Sequence, residues 1–366
     1  MTARPSRRAV LAGIAGVAAL ALAACGSSSS AGGSSGSASG GSGDKVTTVR
    51  LGFFPNLTHA PALVGLQEGT FKKALKEVGV TVTPTAFNAG PDAITALFGG
   101  SLDITYIGPN PTVNAYVQSQ GQAVRVIAGA ASGGAALVVK PEIASAADLK
   151  GKTLATPQLG NTQDVALRYW LKQQGLTATT EGGGDVSIKP QANAEGLNAY
   201  SSGSIDGAWV PQPWVAEYVK AGAKVLVDEK TEWPDGKFVT TNILVRKEFL
   251  DAHPDIVAAV LQGHLDALAI IKKDPAKAAA DTNAALKSLT GSDLDADVLA
   301  AAFKDVEFTF DPLPATLVTS AQHAVEVGLL EQAGIDEAGG LPGQLYDVTP
   351  LNTLLAKAGE PTVAAS

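Results

Sequence analysis

Residues 46–55, VTTVRLGFFP, alternate apolar and polar positions, carry β-branched residues and stop at Pro55, which predicts a strand. Apolar residues then recur at helical spacing over 60–75. Pro61 fits there because a first-turn residue has no intrahelical N–H partner to lose. Residues 80–84 alternate again. Residues 90–100 read as a helix opened by Pro91 and Asp92 and closed by Gly99 and Gly100, and 102–108 as a third strand. The order β-α-β-α-β predicts parallel strands covered by helices. Further on, 123–140 reads as a strand, a Gly/Ser break and a strand, which fits a crossing between two lobes. Residues 152–157 read as a strand, 158–163 as a loop and 164–175 as a helix. The pattern of 240–250 suits a return strand, 254–275 a long helix, and the remainder to Ser366 is mainly helical.

One phrase is written twice. Gly100-Ser101-Leu102-Asp103 reappears as Gly203-Ser204-Ile205-Asp206, Tyr106-Ile107 as Trp209-Val210, and each copy runs into two prolines spaced by one residue. The echo extends backwards, since 186–190, 193–203 and 205–210 repeat a strand, a helix and a strand. Too little matches for a solenoid. The reading is two α/β lobes, each with an equivalent unit. Ligands of open parallel sheets sit beyond the C-terminal strand ends, so the segments after Ile107 and Val210 are expected on a shared cleft. Asp103 and Asp206 lie at the opposite ends of their strands. Turn capping after the helix-ending glycine is the preferred reading for them over a paired-carboxylate site.

Composition adds a compartment. The chain has 366 residues, 45% hydrophobic and 17% charged, so it has enough apolar material for sizeable cores. Residues 1–24 combine a basic start, an apolar run and small residues before Cys25, in the manner of a lipoprotein signal peptide whose thiol is lipidated. Arg7-Arg8 also suits a twin-arginine export signal. Residues 25–45 form the lipidated cysteine and a Ser/Gly tether. A Gly-x-Ser-x-Gly match at 32–36 lacks the strand and helix that a nucleophile elbow requires, so no chemistry is assigned to it. Cys25 is the one cysteine, which excludes disulfides, thiol catalysis and cysteine-metal sites. The net charge is −8, and −11 once Arg4, Arg7 and Arg8 leave with the signal, which argues against nucleic acid as a partner. His253, His264 and His323 have no metal-binding spacing, and no cofactor is expected.

The stretches 50–71, 87–111, 144–171, 201–229 and 239–261, in this order and spacing, resemble the solute-binding proteins of ABC importers, nearest the aliphatic sulfonate, taurine and nitrate binding family. The resemblance implies a two-lobed periplasmic-binding-protein-like fold of type II, each lobe a mainly parallel sheet with flanking helices. Residues 46–134 and 240–366 would form lobe 1 and 135–239 lobe 2. It also implies a lipid-anchored, extracytoplasmic, monomeric protein working with a permease and its ATPase.

The ligand candidates are Asn56, Thr58, His59, Asn88, Gly90, Gly108, Pro109, Asn110, Ser132, Gly133, Gln158, Asn161, Thr162, Gln163, Trp209 and Gln212. Most are neutral donors, and several open helices, whose free N–H groups and dipole hold an oxyanion without Lys or Arg. The only cationic candidates are His59, which reads equally as a cationic helper or a neutral loop residue, and Arg168, for which a solvated helix face is preferred over a ligand role. Trp209 is expected in the cleft, and Trp214 either there or in a core. An aliphatic sulfonate is the favoured ligand. Taurine would add a carboxylate for its ammonium, from Asp92, Asp164 or Glu195. Nitrate, or a heterocycle of the thiamine-pyrimidine type gripped by Trp209 with Phe53 or Phe54, are the alternatives. An enzyme is not expected, because no base and nucleophile converge.

Overall fold

A six-stranded and a five-stranded sheet, sharing one five-strand order, carry the site in the computed structural model, which describes residues 46–291 and 293–366. The signal peptide, Cys25 and the tether lie outside the described residues. The first sheet contains β1 (Thr48–Phe53), β2 (Thr81–Ala86), β3 (Ile104–Ile107), β4 (Val124–Gly133), β10 (Val239–Arg246) and β11 (Val306–Phe308). The second contains β5 (Ala135–Val139), β6 (Thr153–Thr156), β7 (Ser187–Pro190), β8 (Gly207–Pro211) and β9 (Lys224–Asp228). Their orders are β2-β1-β3-β10-β4-β11 and β7-β6-β8-β5-β9. β1, β2 and β3 therefore correspond to β6, β7 and β8, while β10 and β4 correspond to β5 and β9. The repeated phrase is the visible part of a match that runs through both sheets.

In each sheet, four strands share one direction. The strand arriving from the other sheet, β5 or β10, is slotted in against both neighbours. That insertion makes the sheets mixed rather than simply parallel, with the parallel strand pairs β1/β2, β1/β3, β6/β7 and β6/β8 beside the antiparallel ones. β3, β4 and β8 are buried at every position, so they carry no alternation, as expected of strands covered on both faces. The edge strands β9 and β11 are not among the strands expected from the sequence, and β11 breaks the otherwise helical C-terminal part.

The chain crosses from β4 to β5 at Gly133 and Gly134, whose φ angles of 76° and 75° lie where side chains are disfavoured. A Cβ on Gly134 would also stand 2.5 Å from Val306. The return crossing spans 229–238. Around these crossings the sheets are tied together. The amide of Leu57 donates to the carbonyl of Gln212 at 3.0 Å. The Trp214 indole donates to Asn56 Oδ1 at 3.0 Å and Gln212 Nε2 to Asp305 Oδ2 at 2.8 Å.

The repeated aspartates do not cap turns. The amide of Arg50, at the start of β1, donates to Asp103 Oδ2, and the amide of Thr153, at the start of β6, donates to Asp206 Oδ2, both at 2.9 Å. Asp103 also pairs with Arg50 and Arg246, and Asp206 with Lys140. Burial pushes both carboxyls up, but the bonds from these cations and amides outweigh it and hold them below the usual carboxylate range. Each aspartate thus pins the entry ends of neighbouring strands, away from the cleft.

Candidate functional site

The C-terminal ends of all six parallel-paired strands converge on one small cavity. Phe54, Asn56, Thr58 and His59 follow β1. Asn88, Ala89 and Gly90 follow β2, and Gly108 and Pro111 follow β3. From the second sheet come Pro157, Asn161, Thr162 and Gln163 after β6, Asn193 after β7 and Pro211 at the end of β8, and Thr240 comes from β10. The free volume is about 30 Å³, room for a few atoms.

Helix starts make this wall. The helix Gly90–Phe98 begins at Gly90, Thr162–Gln173 at Thr162 and Asn193–Ser201 at Asn193. Asn161 caps the second of these, its side chain accepting from the amide of Asp164 at 3.0 Å. The first bond along that helix axis runs from Val165 to the Asn161 carbonyl, so the amides of Thr162 and Gln163 are left for another acceptor. Dipole and amides together present positive potential to the cavity.

Among the described residues no Lys, Arg, Asp or Glu lines the cavity, and His59 is the one titratable residue in its wall. His59 is 2% exposed, and its Nδ1 accepts from the Phe54 amide at 3.2 Å. Nδ1 is therefore the unprotonated nitrogen and Nε2 carries the hydrogen. Burial pushes its pKa down to about 3. His59 is a neutral donor, which settles the alternatives left by its residue type against a cation.

Nine of the sequence candidates meet at the cavity: Asn56, Thr58, His59, Asn88, Gly90, Gly108, Asn161, Thr162 and Gln163. The others lie elsewhere. Pro109 and Asn110 open the helix behind Gly108, where Asn110 exchanges hydrogen bonds with Ser320. Ser132 accepts from the Phe238 amide, and Gly133 receives the Thr240 hydroxyl on its carbonyl. Gln158 is half-buried in the loop after β6, its Oε1 without a partner. Gln212 ties the two sheets together. Trp209 faces away from the cavity, its indole donating to Glu229 Oε2 at 2.6 Å. In a strand buried on both faces, no alternation tells cleft from back.

Arg168 differs most from its expected solvated position. It is 2% exposed, and its Nε donates to the fully buried Asp164 at 3.0 Å. Asp164 also accepts from the Thr156 hydroxyl and the Gly160 amide, each at 2.9 Å. The pair sits behind the cavity wall and fixes the loop that carries Asn161 and Thr162. Asp92 and Glu195 are exposed, so none of the three acids considered for an ammonium lines the cavity. Among the described residues no group of three His, Cys, Asp or Glu is arranged to hold a metal ion.

Pro157, Asn193 and Thr240 are in the wall without having been singled out from the sequence. The repeat held the signal for Asn193. It precedes Asp206 by the same spacing at which Gly90 precedes Asp103, and Ala89 and Ala192 occupy the matching cap positions. The Asn193 Oδ1 is buried without a partner.

The model of the NMT1-like family matches residues 42–286. The chain is 32% identical over 210 residues to the taurine-binding periplasmic protein of Escherichia coli K12, a stretch covering 57% of this chain and 62% of that protein's length. Among solved structures it is similar to the alkanesulfonate-binding protein SsuA of Xanthomonas axonopodis pv. citri bound to MOPS. The TM-score is 0.65 at 20% identity, over 78% of this chain and 95% of that one. The periplasmic nitrate-binding protein NrtA of Synechocystis PCC 6803 gives a TM-score of 0.69 at 15% identity, over 87% and 90%. The two-sheet fold with its flanking helices is thus that of periplasmic binding proteins.

Proposed function

The chain belongs to the NMT1-like family, and from that premise we propose that it is the extracytoplasmic solute-binding component of an ABC importer, taking a small organic anion, an aliphatic sulfonate first. The observation carrying this reading is the cavity wall, in which helix starts, amides and neutral donors from both sheets converge with no carboxylate among them. Its volume of about 30 Å³ suits an oxyanion head group better than a heterocycle. The heterocycle reading also loses its main aromatic clamp, since Trp209 bonds Glu229 outside the cavity. Taurine is the second reading. It is favoured by the 32% identity to a taurine-binding protein and by the unpartnered Asn193 carbonyl, an acceptor for an ammonium.

Calorimetry with ethanesulfonate, taurine and nitrate tests the assignment. Thr162→Ala is expected to weaken binding of the preferred anion by about 1–3 kcal/mol, the value of a hydroxyl bond to a charged oxygen. The affinity should stay flat from pH 6 to 8. With a pKa of about 3, His59 remains neutral there even if a bound anion lifts it by about two units. Absence of heat with all three anions refutes the reading.

The delivery partners in this proposal are a permease and its ATPase. A diacylglyceryl group on Cys25 would hold the protein, acting as a monomer, at the outer face of the cell membrane, its two chains giving firm anchoring. Residues 46–134 and 240–366 would act as one lobe and 135–239 as the other. Cys25→Ser is expected to release the protein into the medium in cell fractionation. Retention equal to wild type refutes the anchor.

A further inference from the structure

A second cavity, of about 110 Å³, lies away from the cleft beside the return crossing. Its wall holds three of the four tryptophans, Trp170, Trp209 and Trp233, together with Tyr169 and His323. Tyr169 and His323 stack with ring centroids 3.5 Å apart, Trp233 lies 5.5 Å from His323, and Trp170 lies 6.2 Å from Trp209. Among these rings sits the carboxyl of Glu229, 2% exposed. It accepts the Trp209 indole N–H, the Trp233 side chain also favours its charged form, and among the described residues the charged groups acting on it are two further acids, Asp228 and Glu232. A carboxyl withdrawn from water and facing no cation is electrostatically incomplete. Aromatic faces around such a group attract a soft cation, and quaternary ammonium groups in particular. The volume is somewhat below the roughly 150 Å³ of a cavity that holds benzene, which suits a methylated ammonium.

We propose that this cavity is a binding site for a small methylated ammonium cation, held by the indole faces and by charge pairing with Glu229. The site is independent of the anion cleft. It draws on both parts of the fold, with Tyr169 and Trp170 on the helix Thr162–Gln173, Glu229 and Trp233 on the return crossing, and His323 on the helix Pro314–Glu326.

Binding to this site is coupled to a proton. Burial pushes Glu229 up to about 7, and a cation favours its ionised form, so occupation releases a proton and tightens as pH rises. The other titratable groups facing it do not compete. Burial holds His323 down at about 4 and Tyr169 above its ordinary value, so both are neutral near pH 7, while the acids Asp228 and Glu232 add negative potential. Between pH 6 and 8 the ionised fraction of a group titrating at 7 rises by about tenfold.

The test titrates the full chain with tetramethylammonium chloride at constant ionic strength, followed by tryptophan fluorescence. A saturable change is expected, with affinity about tenfold higher at pH 8 than at pH 6. Glu229→Gln, which keeps an acceptor for the Trp209 indole, is expected to weaken it at least about tenfold by removing the charge. Trp233→Ala, at a half-exposed position, gives a second variant with the same expected loss should Glu229→Gln fail to fold. Neopentyl alcohol, of the same shape without charge, should not bind. The proposal is overturned by no saturable change in the folded wild type, by equal binding of the alcohol, or by variants that bind the cation as wild type does.

Discussion

Arg168→Met is expected to destabilise the fold by about 3–5 kcal/mol, read from urea unfolding. The arginine and Asp164 lie one helical turn apart and are both sealed from water, 1% and 0% exposed in their side chains. Removing the guanidinium strands a carboxylate whose remaining partners, the Thr156 hydroxyl and the Gly160 amide, are neutral. The methionine fills similar volume, so the loss is electrostatic rather than a cavity effect. Adding Asp164→Asn removes the stranded charge, and the double variant should recover part of the loss. A single-variant change below about 1 kcal/mol would sink the account. Anion affinity should fall with stability, because the pair holds the loop bearing Asn161 and Thr162.

Gly108→Ala is expected to do the reverse, sparing the fold and losing the ligand. Gly108 has φ −75° and ψ 164°, a backbone any residue adopts. Its missing side chain matters only across the cleft, where a Cβ would stand 2.3 Å from Thr162 Oγ1. The two residues come from opposite sheets, so the added methyl props the wall apart or turns the Thr162 hydroxyl away. Either way the Thr162 bond to a charged oxygen is lost, which costs about 1–3 kcal/mol, a fall in anion affinity of roughly 5- to 150-fold. Calorimetry reads the affinity and urea unfolding the unchanged stability. Wild-type affinity in a folded Gly108→Ala would refute the close approach.

Much of this was legible in the sequence, for definite reasons. Neutral donors after strands, at Asn56–His59, Asn88–Gly90 and Asn161–Gln163, mark a cleft because strand ends and helix starts have chain-local signals. The two copies of Gly-Ser-x-Asp pointed to matched units because each joins a helix ended by glycine to a strand pinned by its aspartate. What stayed hidden depends on facing. Helical spacing puts Arg168 over Asp164 but does not say that this face is buried. Residue type leaves His59 charged or neutral, and only its burial and the Phe54 amide decide. Trp209 sits in a strand buried at every position, where alternation vanishes. The three residues of β11 are too few to show a period at all.

The slotted strands impose an order on folding. β3 ends at Ile107, yet its second neighbour, β10, begins at Val239, after the whole second sheet has been made. As the chain leaves the ribosome, the first sheet has β1, β2 and β3 in hand and an unpaired edge where β10 belongs. That edge closes only after a loop of more than a hundred residues has been drawn together, a contact of high sequence separation that slows folding. Residues 46–238 are therefore not a free-standing folding unit. The protein completes itself late, when the returning strand enters the middle of a sheet begun long before.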